Sequence, residues 1–100
     1  MKTRVMFVAC LLACGGSSKY PSRSEGCDVQ VFQESPTIKV ENIGHVSAHC
    51  DDIVSQTDCM RTLKDEVCRL GGDVVWGVPG EPAHENNQWK YVGRAAHTQQ

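Results

Sequence analysis

Six cysteines and four histidines are the residues of this 100-residue chain with the most chemistry to offer. A thiol can be acylated, oxidised in a pair, or ionised for exchange and metal binding, and an imidazole can ligate a metal or carry a proton. The densest group is His45-Val46-Ser47-Ala48-His49-Cys50-Asp51-Asp52. On a helix, His45 and His49 would share a face and chelate one ion. On a strand the same spacing holds them about 13 Å apart, too far for one ion with bonds of about 2 Å. The surrounding residues favour a strand, so surface histidines beside a turn-forming Asp pair are the better reading, and no metal ligand is assigned. Thiol exchange needs an accessible, acidic thiolate, usually in Cys-x-x-Cys at a helix start. That motif is absent, and Cys59 is the one cysteine near a helix start. His84 and His97 have no partner that spacing identifies. No Ser-His-Asp order, phosphate loop or paired-carboxylate motif stands out, so no catalytic residue is assigned.

The amino end has the three parts of a secretory signal: positive Met1-Lys2-Thr3-Arg4, apolar Val5 to Ala13, and small Ala13-Cys14-Gly15-Gly16. The apolar run is less than half of the roughly 20 residues a membrane-spanning helix requires. Leu11-Leu12-Ala13-Cys14 resembles the lipobox of bacterial lipoproteins. The resemblance implies cleavage after Ala13, acyl chains on Cys14, and anchoring of the mature protein to a membrane. The aspartate that retains such proteins in an inner membrane is absent, since Gly15 stands there, which favours the outer membrane of a two-membrane cell. Each buried methylene contributes about 0.8 kcal/mol, and stable anchoring takes more than one chain.

Cleavage there removes Lys2 and Arg4 and moves the formal net charge from −2 to −4, because all twelve acids lie beyond residue 14. A mildly acidic chain without a Lys/Arg cluster does not suit nucleic acid. Cys10 leaves with the signal, so Cys27, Cys50, Cys59 and Cys68 remain, an even number that reads as two disulfides in a small exported domain.

Those four cysteines must be positioned by the elements that follow. Gly15 to Gly26, "GGSSKYPSRSEG", reads as a flexible tether that reaches up to about 40 Å when extended. "CDVQVF" suggests a first strand, closed by a turn at Pro36. Ile38, Val40, Ile43 and Val46 suggest a second strand, hairpin-paired to the first, with a bulge or bend at Asn42 and Gly44. Met60, Leu63, Val67 and Leu70 recur at helical spacing behind Thr57 as N-cap, and Gly71-Gly72 supplies a left-handed stop, predicting a helix over about Asp58 to Leu70. "DVVWGV" reads as a central strand, "PGEPAHENN" as an exposed loop, and "QWKYVGRAAH" as a last strand. The expected fold is α+β, in the order β-β-α-β-β, with a single sheet of about four strands and one helix on one face. Trp76, Trp89 and Tyr91 suit the core or a sheet face, and the loop from Pro79 to Gln88 is the best open surface for a partner.

Three disulfide connectivities are possible. Nine residues of helix separate Cys59 from Cys68 by about 13.5 Å, beyond the roughly 7 Å limit for bridged Cα atoms. Two schemes remain: Cys50–Cys59 with Cys27–Cys68, or Cys27–Cys59 with Cys50–Cys68. The short loop from strand two to the helix favours Cys50–Cys59. Against it, a helix running back along strand two carries Cys68 away from Cys27.

"IGHVSAHC", "LKDEVCRLGGDVVWG" and "YVGRAA" together are similar to small bacterial lipoproteins of the plan shared by the Rcs stress-sensor lipoprotein and related uncharacterised enterobacterial lipoproteins. The likeness covers about Ile43 to Ala96 and rests mostly on packing residues, so it bears on fold more than on function. It implies a disulfide role for Cys50. The sensor's cysteines in and after its third strand have no counterpart here, so its pairing does not transfer.

The sequence therefore divides into a lipoprotein signal peptide (1–13), a lipidated Cys14 with its tether (14–26) and a disulfide-stabilised domain (27–100). The expected protein is a lipid-anchored, periplasm-facing envelope component that acts as a structural, interaction or sensing module. It needs no cofactor and performs no catalysis, and its partners are the membrane, through Cys14, and another envelope protein. The rival is an exported thiol-redox or metal-binding protein using Cys50, Cys59 and the nearby His45 and His49.

Overall fold

The computed structural model describes residues 20–99; the signal-like segment, Cys14 and residues 15–19 lie outside them. Strands β1 (Gln30–Val31), β2 (Val40–Asp51), β3 (Val74–Trp76), β4 (Ala83–Glu85) and β5 (Gln88–Thr98) form one sheet, and helix α1 (Gln56–Arg69) lies between β2 and β3 in the chain. This is the expected α+β arrangement, with five strands instead of four. The sheet order is β1-β3-β5-β2, with β4 added to β5.

The expected hairpin between the first two strands does not form. β2 pairs antiparallel with β5 over its whole length, from Val40 opposite Thr98 to Asp51 opposite Gln88, while β1 pairs parallel with β3 at the other edge. A twelve-residue strand saturates far more backbone against eleven-residue β5 than against a two-residue stub. The segment between β1 and β2 crosses the sheet, about 14 Å for three strand spacings. The register shift between Asn42 and Gly44 is the anticipated bulge.

The helix begins earlier than Thr57. Ser55 is the N-cap, in an extended conformation, and its hydroxyl accepts from the Asp58 amide at 3.0 Å. Cys59, Leu63 and Val67 fall one turn apart and are fully buried against the sheet. At the far end the Gly71 amide donates to the Cys68 carbonyl and the Gly72 amide to the Val67 carbonyl, with Gly71 at φ +88°. This pair of bonds closes the helix and turns the chain into β3.

Residues 20–26 are docked on the domain, where a free tether was expected. The Tyr20 ring stacks on His97 at 4.1 Å and its hydroxyl donates to Glu41 Oε1 at 2.7 Å. The Arg23 amide donates to the Cys68 carbonyl at 2.8 Å, and its guanidinium to the Gly72 carbonyl at 2.6 Å. The Gly26 amide donates to Asp65 Oδ1 at 2.9 Å. Of these contacts, the one from the Arg23 amide satisfies a carbonyl of the last helical turn.

Gly71 joins the two features. A Cβ there would lie 2.7 Å from the carbonyl oxygens of both Tyr20 and Pro21. Gly71→Ala is therefore expected to cost about 1–2 kcal/mol from the left-handed backbone alone, and more from displacing the strap. Thermal unfolding checks the first effect, and faster trypsin cleavage after Arg23 checks the second. An unchanged midpoint and cleavage rate would contradict the docked strap.

Candidate functional site

Both disulfides are closed among the described residues: Cys27–Cys68, with Cα atoms 6.1 Å apart, and Cys50–Cys59, at 5.8 Å. The first fixes the strap and β1 to the end of α1, and the second fixes the end of β2 to its start. Cys59 and Cys68 are fully buried. Cys50 and Cys59 are thus bonded to each other, not presented as thiolates. Cys14 lies outside the described residues.

The cluster His45 to Asp52 is divided by the sheet. Val46 and Ala48 are buried beneath the helix and Cys50 is in its bridge, whereas His45, Ser47 and His49 face the opposite, open side. The two histidines stay four strand residues apart, about 13 Å. Among the described residues, no three His, Cys, Asp or Glu side chains gather to hold a metal ion.

Asp52 turns to the β4–β5 hairpin, where its Oδ2 meets His84 Nε2 at 3.0 Å, and the His84 ring lies 4.7 Å from that of Trp89. Trp89 Nε1 donates to the Val54 carbonyl at 2.9 Å. Asn86 and Asn87, at φ 51° and 62°, form the tight turn of this hairpin. Within the expected loop, Ala83–Glu85 therefore form a short strand that His84 ties to Asp52 in the β2–α1 connection. Ile53, at 89% exposure, projects from that connection.

The open face gathers a feature that linear reading separates. The register sets His49 opposite Lys90, Ser47 opposite Val92, and His45 opposite Arg94, with Trp76 on the other side of Arg94. Trp76 reaches across β5 to donate from Nε1 to Asn42 Oδ1 at 2.9 Å, and the Arg94 guanidinium sits 5.5 Å from the centre of its ring. A shallow cavity lies there, lined by His45, Trp76, Gly77, Val92, Gly93 and Arg94. The ion pairs among the described residues are Arg61–Asp58, Arg69–Glu66 and His84–Asp52, and none uses Lys90 or Arg94. The one sequence trace of this face was the shared spacing of four in His45/His49 and Lys90/Arg94. On the covered side, burial and, to a lesser degree, the Glu81 charge raise the Tyr91 phenol above its ordinary value and keep it neutral.

No protein-family model, curated protein or solved structure matches this chain. Among the described residues, no helix is long and apolar enough to cross a membrane.

Proposed function

We propose that this chain is a lipid-anchored interaction module of the cell envelope, held to a membrane through acyl chains on Cys14 and exposing its domain to the periplasm. The outer membrane is the preferred site, because Gly15 stands where an inner-membrane retention aspartate would be. The single observation that carries the reading is the opposition of two ends. Tyr20, the first described residue, is clamped at the end of the sheet where β2 begins and β5 stops, by Glu41 and His97. The Asp52–His84–Trp89 cluster and exposed Ile53 occupy the other end, about 27 Å away along the eight strand steps from His97 to Trp89. An anchor six residues before Tyr20 thus leaves the far end free for a protein partner. Closed disulfides suit an oxidising compartment and a binding role better than thiol exchange. A role in envelope sensing rests on the resemblance to the Rcs-type lipoproteins alone.

Cys14→Ser tests the anchor. The wild-type chain is expected in the membrane pellet and the variant in the soluble fraction, with both folded by circular dichroism. Equal partition of the two would overturn the proposal.

A further inference from the structure

β2 is a free edge. It pairs with β5 on one side only, and between Asn42 and Cys50 it holds no Lys, Pro, Asp or Glu. Edge strands are usually blunted by such residues or by being very short. The opposite edge, β1, follows that rule with two residues. β2 follows it only at its ends, through the bulge at Ile43 and the acids Glu41 and Asp51. The seven residues from Gly44 to Cys50 keep regular register with β5, so the N–H and C=O of every second residue point away from the sheet, with no strand among the described residues to receive them.

The second observation is charge. The formal net charge of the chain is −2, yet the three middle rows of the open face carry Lys90, His49, Arg94 and His45 and no acid. The nearest acids by register, Asp51 and Glu85, lie opposite Gln88 at the end of the face. Lys90 and Arg94 make no ion pair among the described residues, and Trp76 holds Arg94 on the surface.

We infer that the β2 edge receives an extended peptide segment of a partner protein, added as a further strand, whose alternate side chains are carboxylates lying on the open face against His45 and His49, with Lys90 and Arg94 behind. Backbone pairing along Gly44 to Cys50 supplies the register, and side chains on one face supply specificity. The added strand lies two strand spacings from β5, about 10 Å, which long acidic, lysine and arginine side chains span from both sides. A second copy of the chain fits less well. Antiparallel pairing of two β2 strands about Ser47 would bring the Lys90 and Arg94 of both copies onto one continuous face with no acid in its middle rows, and like charges gathered on one face oppose association. The inference goes beyond the anchored-module reading and stands whether or not Cys14 carries lipid.

The test uses the full chain in neutral detergent and a fluorescent nine-residue peptide alternating glutamate and valine. The parent peptide is expected to bind, and its Glu→Gln version to bind at least tenfold more weakly. N-methylation of one alternate set of peptide amides is expected to abolish binding, and of the other set to leave it intact. The double variant Lys90→Glu/Arg94→Glu, folded by circular dichroism, is expected to lose the parent peptide and to bind a lysine–valine peptide instead. No binding of the parent peptide up to about 1 mM, equal binding of the Gln peptide, indifference to N-methylation, or a wild-type dimer in sedimentation that shuts the peptide out would each overturn the inference.

Discussion

Replacing Cys27 and Cys68 together by serine is expected to lower the unfolding free energy by about 4 kcal/mol, against about 2.5 kcal/mol for replacing Cys50 and Cys59. The two bridges differ in the chain they close: 41 residues separate the first pair and nine the second. A longer closed loop removes more freedom from the unfolded chain. Each pair has one fully buried cysteine and one half-buried one, so local repacking is comparable and the loop decides the order. The first pair also holds β1 and the strap, whose other ties to α1 and the turn after it are a handful of hydrogen bonds. For a small domain with a total stability of about 5–15 kcal/mol, that loss is a large share of the whole. Urea unfolding of the two double variants under non-reducing conditions gives the comparison. A larger cost for the nine-residue pair would contradict the role assigned to Cys27–Cys68.

Leu63→Ala is expected to cost about 3 kcal/mol, within the 2–5 kcal/mol typical of buried leucines. Leu63 is fully buried between Cys59 and Val67 on the inner face of α1, within the cluster that includes Val46, Val75, Val78 and Tyr91. Ala48, Gly93 and Ala95 pave the sheet beneath the helix. The fit there is already tight: a Cβ on Gly93 would lie 2.7 Å from Val75 Cγ2 and 2.8 Å from Val78 Cγ2. The walls around Leu63 are paired strands and a helix bridged at both ends, so the cavity left by truncation cannot close by a local shift. Ile53→Ala is the control, because that side chain lies in solvent and its loss is expected to stay within about 0.5 kcal/mol. Urea midpoints of the two variants decide the matter, and a Leu63→Ala cost under about 1 kcal/mol would show that this cluster is not the core.

The helix was legible because Met60, Leu63, Val67 and Leu70 state its period and Gly71 its end. Its start was misplaced by two residues because Ser55 and Thr57 are both capping types, and only the geometry shows which hydroxyl meets the Asp58 amide. Cys50–Cys59 was favoured by its short loop. The objection to Cys27–Cys68 assumed that strand one lies beside strand two; β1 sits instead beside β3, at the edge where the strap reaches the helix C-terminus, and Cys27 meets Cys68 there. Composition hid the strap, since Tyr20 and Arg23 owe their order to residues far along the chain, Glu41, His97, Cys68 and Gly72. Three residues of β4 are too few to show a period, and their turn is Asn-Asn in place of the stronger Asn-Gly. The cationic open face was out of reach for the same reason as the strap. His45 and Arg94 become neighbours only when β2 takes β5, rather than β1, as its partner.

The most direct test of an anchored, doubly bridged module is the intact mass of the protein extracted from membranes, alkylated before and after reduction. The account expects a chain that begins at Cys14 and carries acyl chains, with no thiol alkylated before reduction and four, at Cys27, Cys50, Cys59 and Cys68, alkylated after it. A mass without lipid, or thiols that alkylate without reduction, would contradict it.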